Sequence, residues 1–293
     1  MVKLGMVGKV LIHNYPYGAY FNGTDAEALE ERCTKRWMLE LIRSRFPEPA
    51  AGGSRITHVW AGEREEAEAI AAGCLIENVC DTPEEVIESV DGVLVLDEDA
   101  DFRADTVERS LTAGKSVYVD KTPAMDPART RELVSMAVDR DLRLAAWSQL
   151  LFAPEAETLQ DLGGGSALVT FNLSPDIVDK YGIHLVCSAF AAFGCDPVHM
   201  ATVANGPGGP PMMVLSYRDG KDVVLRAGSD LPPRGSISYV GKEGGSVVVM
   251  LEDMAAMFDG SAAALARMFE EAVWPVPPEA IVRMTEAVDC LCG

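Results

Sequence analysis

"VDGVLVLDEDADFRADTVERSLTAGKSVYVDKTPA" (Val90–Ala124) holds the pattern of the first half of the chain. The apolar run Gly92–Leu96 predicts a buried strand, and the apolar spacing over Ala104–Ala113 predicts a helix. Gly114 stands where a left-handed residue ends a helix, and Ser116–Val119 is a second β-rich run. Strand, helix and strand in this order give two parallel strands joined by a crossover. The same alternation continues outward. Strand candidates are Lys3–Val7, Thr57–Trp60 and Leu75–Asn78 before the stretch, and Arg143–Ala146 after it. Helical patterns run at Asp25–Phe46, Arg64–Ala72, Pro83–Ser89 and Pro127–Asp139. Residues 1–148 are therefore expected to form a Rossmann-like α/β domain around a parallel sheet.

After Trp147 the pattern changes. Strand patterns at Ala167–Leu173, His199–Val203, Met212–Tyr217, Val223–Arg226, Ser236–Val240 and Ser246–Met250 surround one helical stretch, Ile183–Phe193. Asp219-Gly220 is a hairpin signal. Two helices, Gly260–Val273 and Pro278–Leu291, end the sequence. Residues 149–293 thus read as an α+β domain with an open, mostly antiparallel sheet.

Composition narrows the function. Forty-five acidic against 25 basic residues give a formal charge of −20, which repels nucleic-acid backbones. No apolar run is long enough for a membrane span and the N-terminal residues do not read as a secretory signal, so a cytoplasmic protein is expected. The seven cysteines are scattered with no C-x-x-C pair, and with four histidines they suggest no metal site.

Ligands of open α/β sheets bind at the carboxyl ends of strands. Asp120 and Lys121 follow the Ser116–Val119 strand there. A lysine so placed can hydrogen-bond a substrate oxygen, and the plain alternative is a surface lysine paired with Asp120. His184, in "DKYGIHLV" (Asp179–Val186), is expected in the first turn of a helix, and an imidazole there suits general acid–base work. A satisfied core histidine is the alternative. Near the N-terminus "GMVGKVLIHNYPYG" (Gly5–Gly18) follows the first strand where a phosphate loop belongs. Gly8 suits the tight turn of G-x-G-x-x-G, but the other two glycines are replaced by bulkier residues. A helix beginning near Tyr17–Gly18, after a longer loop, is the expected accommodation.

Val90–Ala124 resembles the strand–helix–A-G-K–strand–E-K-P stretch of the Gfo/Idh/MocA oxidoreductases. "WSQLLFAPE" (Trp147–Glu155) is similar to that family's linker, and "YGIH" (Tyr181–His184) to its G-x-H element. The final helices fit as well, and "YPYGAYFNG" (Tyr15–Gly23) resembles a divergent sub-branch. The resemblance implies an enzyme that moves hydride between NAD or NADP and a carbinol or ketone of a sugar-like small molecule. It places Lys121 as the group orienting the substrate hydroxyl and His184 as the acid–base. It implies a cofactor held by Gly8, Lys9, Val10, Glu63, Arg64 and Asp120, and a substrate near Trp147, Gln149, Asp179, Lys180 and Tyr181. Glu63 would accept ribose hydroxyls and favour NAD, whereas Arg64 would greet a 2′-phosphate.

The family's first acid before the histidine falls on Lys180, leaving Asp179 one place away as a partner for His184. "DEDAD" (Asp97–Asp101) replaces a neutral loop and is expected to face solvent. A homo-oligomer through the second sheet is expected, with Val223–Leu225 and Val247–Met250 as its apolar strands. Two other functions share this pattern: a redox-neutral lyase, isomerase or cyclase, and a non-catalytic binding protein.

Overall fold

The first strand, β1 (Val2–Val7), buries Leu4, Met6 and Val7 completely, as a central strand of a parallel sheet requires. It pairs in parallel with β2 (Ser54–Trp60) on one side. After β3 (Asn78–Val79) comes β4 (Gly92–Val95), which pairs in parallel with β1 on the other side. With β5 (Ser116–Asp120) and β6 (Leu144–Trp147) the parallel sheet has the order β3-β2-β1-β4-β5-β6. The protein is described here by a computed structural model covering residues 1–293 except 10, 34–35, 47–48, 50–51, 161, 163, 204–210 and 232–233.

Among the described residues, seven helices connect these strands. α1 (Leu11–Asn22) begins close behind β1, so the helix start expected near Tyr17–Gly18 is corrected: there is no longer loop. Its far end is sewn to β2, because the Asn22 side chain donates to the Ile56 carbonyl (2.7 Å) and accepts the Ile56 N–H (3.0 Å). Gly18 faces the α-helix after β2 rather than a ligand; a Cβ there would lie 2.8 Å from that of Cys74. The Asp25–Phe46 pattern is two helices, α2 (Ala26–Arg32) and α3 (Arg36–Arg45), the first capped by Asp25. α4 (Arg64–Gly73) and α5 (Pro83–Ser89) follow, with the Thr82 hydroxyl accepting the Glu85 N–H at 3.2 Å, the cap the sequence announces. α6 (Ala100–Thr112) starts four residues earlier than predicted, because Asp99 caps it by accepting from the N–H groups of Asp101 and Phe102. α7 (Pro127–Asp139) leads into β6.

In the second half, a short helix, α8 (Pro154–Glu157), precedes β7 (Gly165–Phe171) and α9 (Val178–Phe193). Then come β8 (His199–Thr202), β9 (Met212–Ser216), β10 (Asp222–Ala227), β11 (Gly235–Gly241) and β12 (Ser246–Leu251). Their order is β12-β11-β7-β10-β9-β8, with every neighbouring pair antiparallel save β7 with β10. α9 covers one face, onto which Met213, Leu225, Val169 and Ile237 point at 0% exposure. Val223 and Leu225, expected on the open face, therefore lie inside, because alternation sends only Val224 outward. Across the open face the register lines up Val214, Val224, Leu168, Ser238 and Val248. α10 (Met254–Glu271) and α11 (Pro278–Cys292) end the chain.

The chain forms two compact units. Unit 1 comprises Met1–Ala124, Arg129–Ala146 and Phe258–Pro278, and unit 2 comprises Met125–Ala128, Trp147–Met257 and Glu279–Gly293. Residues 258–278 thus join the first unit although they come late in the sequence. Ser261 bonds the buried Tyr17 hydroxyl (2.9 Å), which also bonds the Tyr118 hydroxyl (2.8 Å). Glu270 accepts from the Ser54 hydroxyl at 2.5 Å and the Gly53 N–H at 3.1 Å. Burial pushes the Tyr17 and Tyr118 phenols well above their ordinary pKa, so this trio stays neutral.

Gly8 sets the direction of α1. Its φ is +138°, and a Cβ would fall 2.1 Å from the Leu96 carbonyl oxygen. Gly8→Ala is expected to lower unfolding free energy by about 2–3 kcal/mol, measured by urea titration.

Candidate functional site

The carboxyl edge of the parallel sheet is built around Gly8. Asn14, buried in α1, donates from Nδ2 to the Gly8 carbonyl (3.2 Å), which fixes the turn to the helix that follows. The Lys9 N–H donates to Asp97 Oδ2 at 3.1 Å, and Asp97 Oδ1 accepts the Asp99 N–H at 2.9 Å. Asp97 is thus buried and structural, a correction to the solvent-facing acidic loop expected over Asp97–Asp101. A carboxylate at the end of β4 ties that strand to the turn after β1. Val10, expected in the phosphate loop, lies outside the described residues.

His13 occupies the third glycine place of a G-x-G-x-x-G count that starts at Gly8. Its Nδ1 meets Asp120 Oδ2 at 2.5 Å, with both residues buried, and its ring packs edge-on against Phe258. Lys121 comes next. It is 2% exposed, has φ +83°, and holds its ammonium 3.6 Å from Glu98 Oε1. The surface-lysine alternative therefore fails on burial. Arg103 of α6, also buried, donates Nε–H to the Thr122 carbonyl (2.8 Å) and Nη1 to the carbonyls of Asp97 (3.0 Å) and Glu98 (2.9 Å). Burial pulls its guanidinium below the ordinary arginine value, and Asp120 works against that fall.

At the end of β2, Glu63 begins α4 without spending its carboxylate on a cap bond. It lines a cavity of about 710 Å³ together with Ile12, Tyr15, Glu31, Arg32, Glu65 and Glu66. Arg64 turns elsewhere, pairing with Glu68 (3.0 Å) and with Asp81. The Lys9 ammonium stands 5.9 Å above the Trp60 ring, which stacks on Phe102.

In unit 2, α9 starts at Val178, so His184 lies in its second turn rather than its first. Its Nδ1 bonds the Ser148 hydroxyl at 2.6 Å, and the rings of Phe171 and Tyr181 flank it at 5.8 and 5.7 Å. Asp179, weighed as its partner, is exposed and accepts the Lys180 N–H instead. Ser148 is buried and supplies a neutral partner, which fixes the ring without adding charge. The Lys180 ammonium stands 5.7 Å from the Tyr181 ring. Trp147 is fully buried against Phe152, and Gln149 is buried with its amide near Met254 Sδ. Among the described residues no group of three His, Cys, Asp or Glu side chains is arranged for a metal.

The sequence singles out none of His13, Asn14, Arg103 and Ser148 as site residues, and it reads Asp97 only as part of a solvent-facing loop. Arg103 did leave a signal, because it falls in the buried helical stripe with Val107, Ser110 and Leu111. An arginine in such a stripe needs internal acceptors.

A parallel sheet with a glycine turn after its first strand and a buried lysine after its fifth, followed by a helix-backed open sheet, defines a dehydrogenase-type fold. Solved structures agree. The chain superposes on a gentamicin A biosynthesis protein, GenD2, in complex with NAD (TM-score 0.71, 16% identity, 99% of this chain and 92% of that one). It matches UDP-N-acetylglucosamine 3-dehydrogenase of Acidithiobacillus ferrooxidans (TM-score 0.69, 16% identity, 98% and 95%). It also matches biliverdin reductase of Synechocystis in complex with biliverdin and NADP+ (TM-score 0.67, 14% identity, 99% and 98%). The chain has the fold of Gfo/Idh/MocA-type dehydrogenases. No protein-family model and no curated protein sequence matches it.

The Ser148 hydroxyl bonds His184, donates to Gln149 Oε1 at 3.3 Å and caps the Leu150 N–H at 3.3 Å. Ser148→Ala is expected to lower unfolding free energy by about 1–2 kcal/mol, with Ser148→Thr recovering most of it, read from denaturant curves.

Proposed function

We propose that this protein is an NAD(P)-dependent oxidoreductase acting on a carbinol or ketone of a sugar-like or related small metabolite. Lys121 carries the reading: a lysine 2% exposed, in a left-handed backbone, at the carboxyl edge of a parallel sheet. Burying an ammonium there is unfavourable, and holding it in a strained backbone adds to that, which is the pattern of functional sites. The neighbours of the same fold, captured with NAD and with NADP+ or acting on a nucleotide sugar, support it.

The residues present fit a dinucleotide at two places. Beside the Gly8 turn, buried Asn14 Oδ1 has no partner among the described residues, and at the start of α4 the Glu63 carboxylate makes no cap bond. Gly8, Lys9 and the first turn of α1 would hold the phosphates, and Glu63 the adenosine ribose. A bound nicotinamide supplies the hydride acceptor or donor. Lys121 donates a hydrogen bond to the substrate oxygen and stabilises the negative charge that develops on it. His184, with Nδ1 against Ser148, takes or returns the hydroxyl proton at Nε2. Trp147 and Gln149, both buried, are kept as substrate-side candidates from the segment after β6. Asp179, Lys180 and Tyr181 remain the substrate-side candidates of α9.

NAD is favoured over NADP. Arg64 is committed to Glu68 and Asp81, while Glu31, Glu63, Glu65 and Glu66 gather around the cavity, where a 2′-phosphate would meet like charge. NADH is expected to bind at least about tenfold more tightly than NADPH, about 1.4 kcal/mol, by tryptophan fluorescence titration. With a substrate found from a panel of cyclitols, sugars and nucleotide sugars, Lys121→Ala and His184→Ala should each reduce kcat by about 10²–10⁴. If neither dinucleotide binds at millimolar concentration, the oxidoreductase reading is lost. If both variants keep full turnover, these roles are lost.

We infer also that the open face of the second sheet pairs with a second copy. Leu168, Val240 and Val248 are exposed on it at 39%, 56% and 66%. Leu168→Lys with Val248→Lys should convert a dimer or larger assembly to monomer in light scattering. A monomeric wild type would remove the proposal.

A further inference from the structure

The backbone of Lys121 needs an explanation from packing, since a side chain at φ +83° stays there only when its surroundings leave no alternative. Contacts reach residues 120–122 from two helices of unit 1. From α1, His13 Nδ1 meets Asp120 Oδ2 at 2.5 Å. From α6, Arg103 donates to the Thr122 carbonyl at 2.8 Å. The same guanidinium donates to the Glu98 carbonyl (2.9 Å), and Glu98 in turn faces the Lys121 ammonium at 3.6 Å. So three consecutive residues are held in different ways: Asp120 by its carboxylate, Lys121 by its ammonium, Thr122 by its carbonyl.

The pairing on α1 has no counterpart in a glycine-rich turn. His13 stands at the third glycine place, and a glycine there has no side chain with which to reach β5. A buried carboxylate such as Asp120 needs a donor or positive partner, and His13 provides one. Arg103 makes its side-chain hydrogen bonds to backbone carbonyls of the two loops on either side of Lys121, in a fork that a lysine could not reproduce.

We propose that His13 and Arg103 are positioning residues for Lys121: a clamp from α1 and α6 that keeps residue 121 left-handed and its ammonium beside Glu98. The proposal rests on the role given to Lys121 above. At a phosphate-loop glycine place, this chain thus carries a side chain that works on the lysine.

Lysine labelling tests it without a substrate. The full-length protein is treated with formaldehyde and cyanoborohydride, and methylation of Lys121 is followed by peptide mass spectrometry against exposed Lys242. His13→Gly restores the glycine of the fingerprint and Arg103→Lys keeps the charge without the fork. Each should raise the Lys121 rate at least about tenfold, with Lys242 and Lys115 unchanged. His13→Asn, which keeps a donor for Asp120, should restore slow labelling. Unchanged Lys121 labelling in His13→Gly overturns the proposal, and so does a parallel rise at Lys115, a half-buried lysine of the same unit bonded to the Val90 carbonyl, which would mean general loosening. If His13→Gly does not fold, the double variant with Lys121→Gly decides. Glycine needs no clamp at this φ, so recovered folding supports the proposal and continued misfolding overturns it. NADH titration of the wild type separates the two conclusions. Loss of binding there sinks the oxidoreductase reading, while the labelling comparison judges the clamp by itself.

Discussion

A buried imidazole–carboxylate contact, His13 to Asp120, is the constraint around which the carboxyl edge of unit 1 is arranged. An ionised carboxylate with no exposure must find partners inside the protein, because the interior does not screen it. His13 reaches it only because α1 starts close behind β1, and α1 starts there only because Gly8 takes a φ open to glycine. Turn, helix, imidazole and carboxylate form a chain of dependence. Lys121 stands at its end, in a backbone that this chain and Arg103 together hold.

The same edge shows how an acidic protein keeps a cation buried. Formal charge is −20, yet the acids nearest Lys121 are committed: Asp97 to N–H groups of two turns, Asp120 to His13, and Glu98 to the lysine itself. Arg103 adds a second buried cation, and it is neutralised by carbonyl dipoles more than by contact with a carboxylate. In unit 2 the choice is different. His184 is aligned by a hydroxyl, Ser148, which fixes its ring through a neutral partner. The two side chains are thus held differently, the lysine beside a carboxylate and the histidine by a neutral hydroxyl.

Much of the fold was legible. The alternation of buried β-rich runs and amphipathic stretches located the parallel strands, and Thr82 and Gly114 marked helix ends that the structure shows. Errors fell where polar side chains substitute for backbone partners. The Gly8–Gly18 segment read as loop because Pro16, Gly18 and polar residues are poor helix formers, yet contacts of Asn14 and Asn22 stabilise it as α1. Asp97–Asp101 read as solvated because acids usually are, but Asp97 accepts two N–H groups and Asp99 caps a helix. Val223 and Leu225 were placed on the wrong face because a run of three apolar residues does not reveal which parity points inward.

The sequence by itself determined the order of elements, the change from parallel to mostly antiparallel sheet near Trp147, and the positions of Lys121 and the Gly8 turn. These depend on local periodicity, turn chemistry and residues adjacent in the chain, all of which a single sequence carries. Tertiary structure alone decided that His13 faces Asp120, that Ser148 rather than Asp179 orients His184, and that Arg64 is tied to Glu68 and Asp81. Most of these partners lie far apart along the chain: 107 residues for His13 and Asp120, 36 for Ser148 and His184. No local propensity encodes a meeting at that separation. It exists only once packing of the apolar faces has fixed where each polar side chain ends.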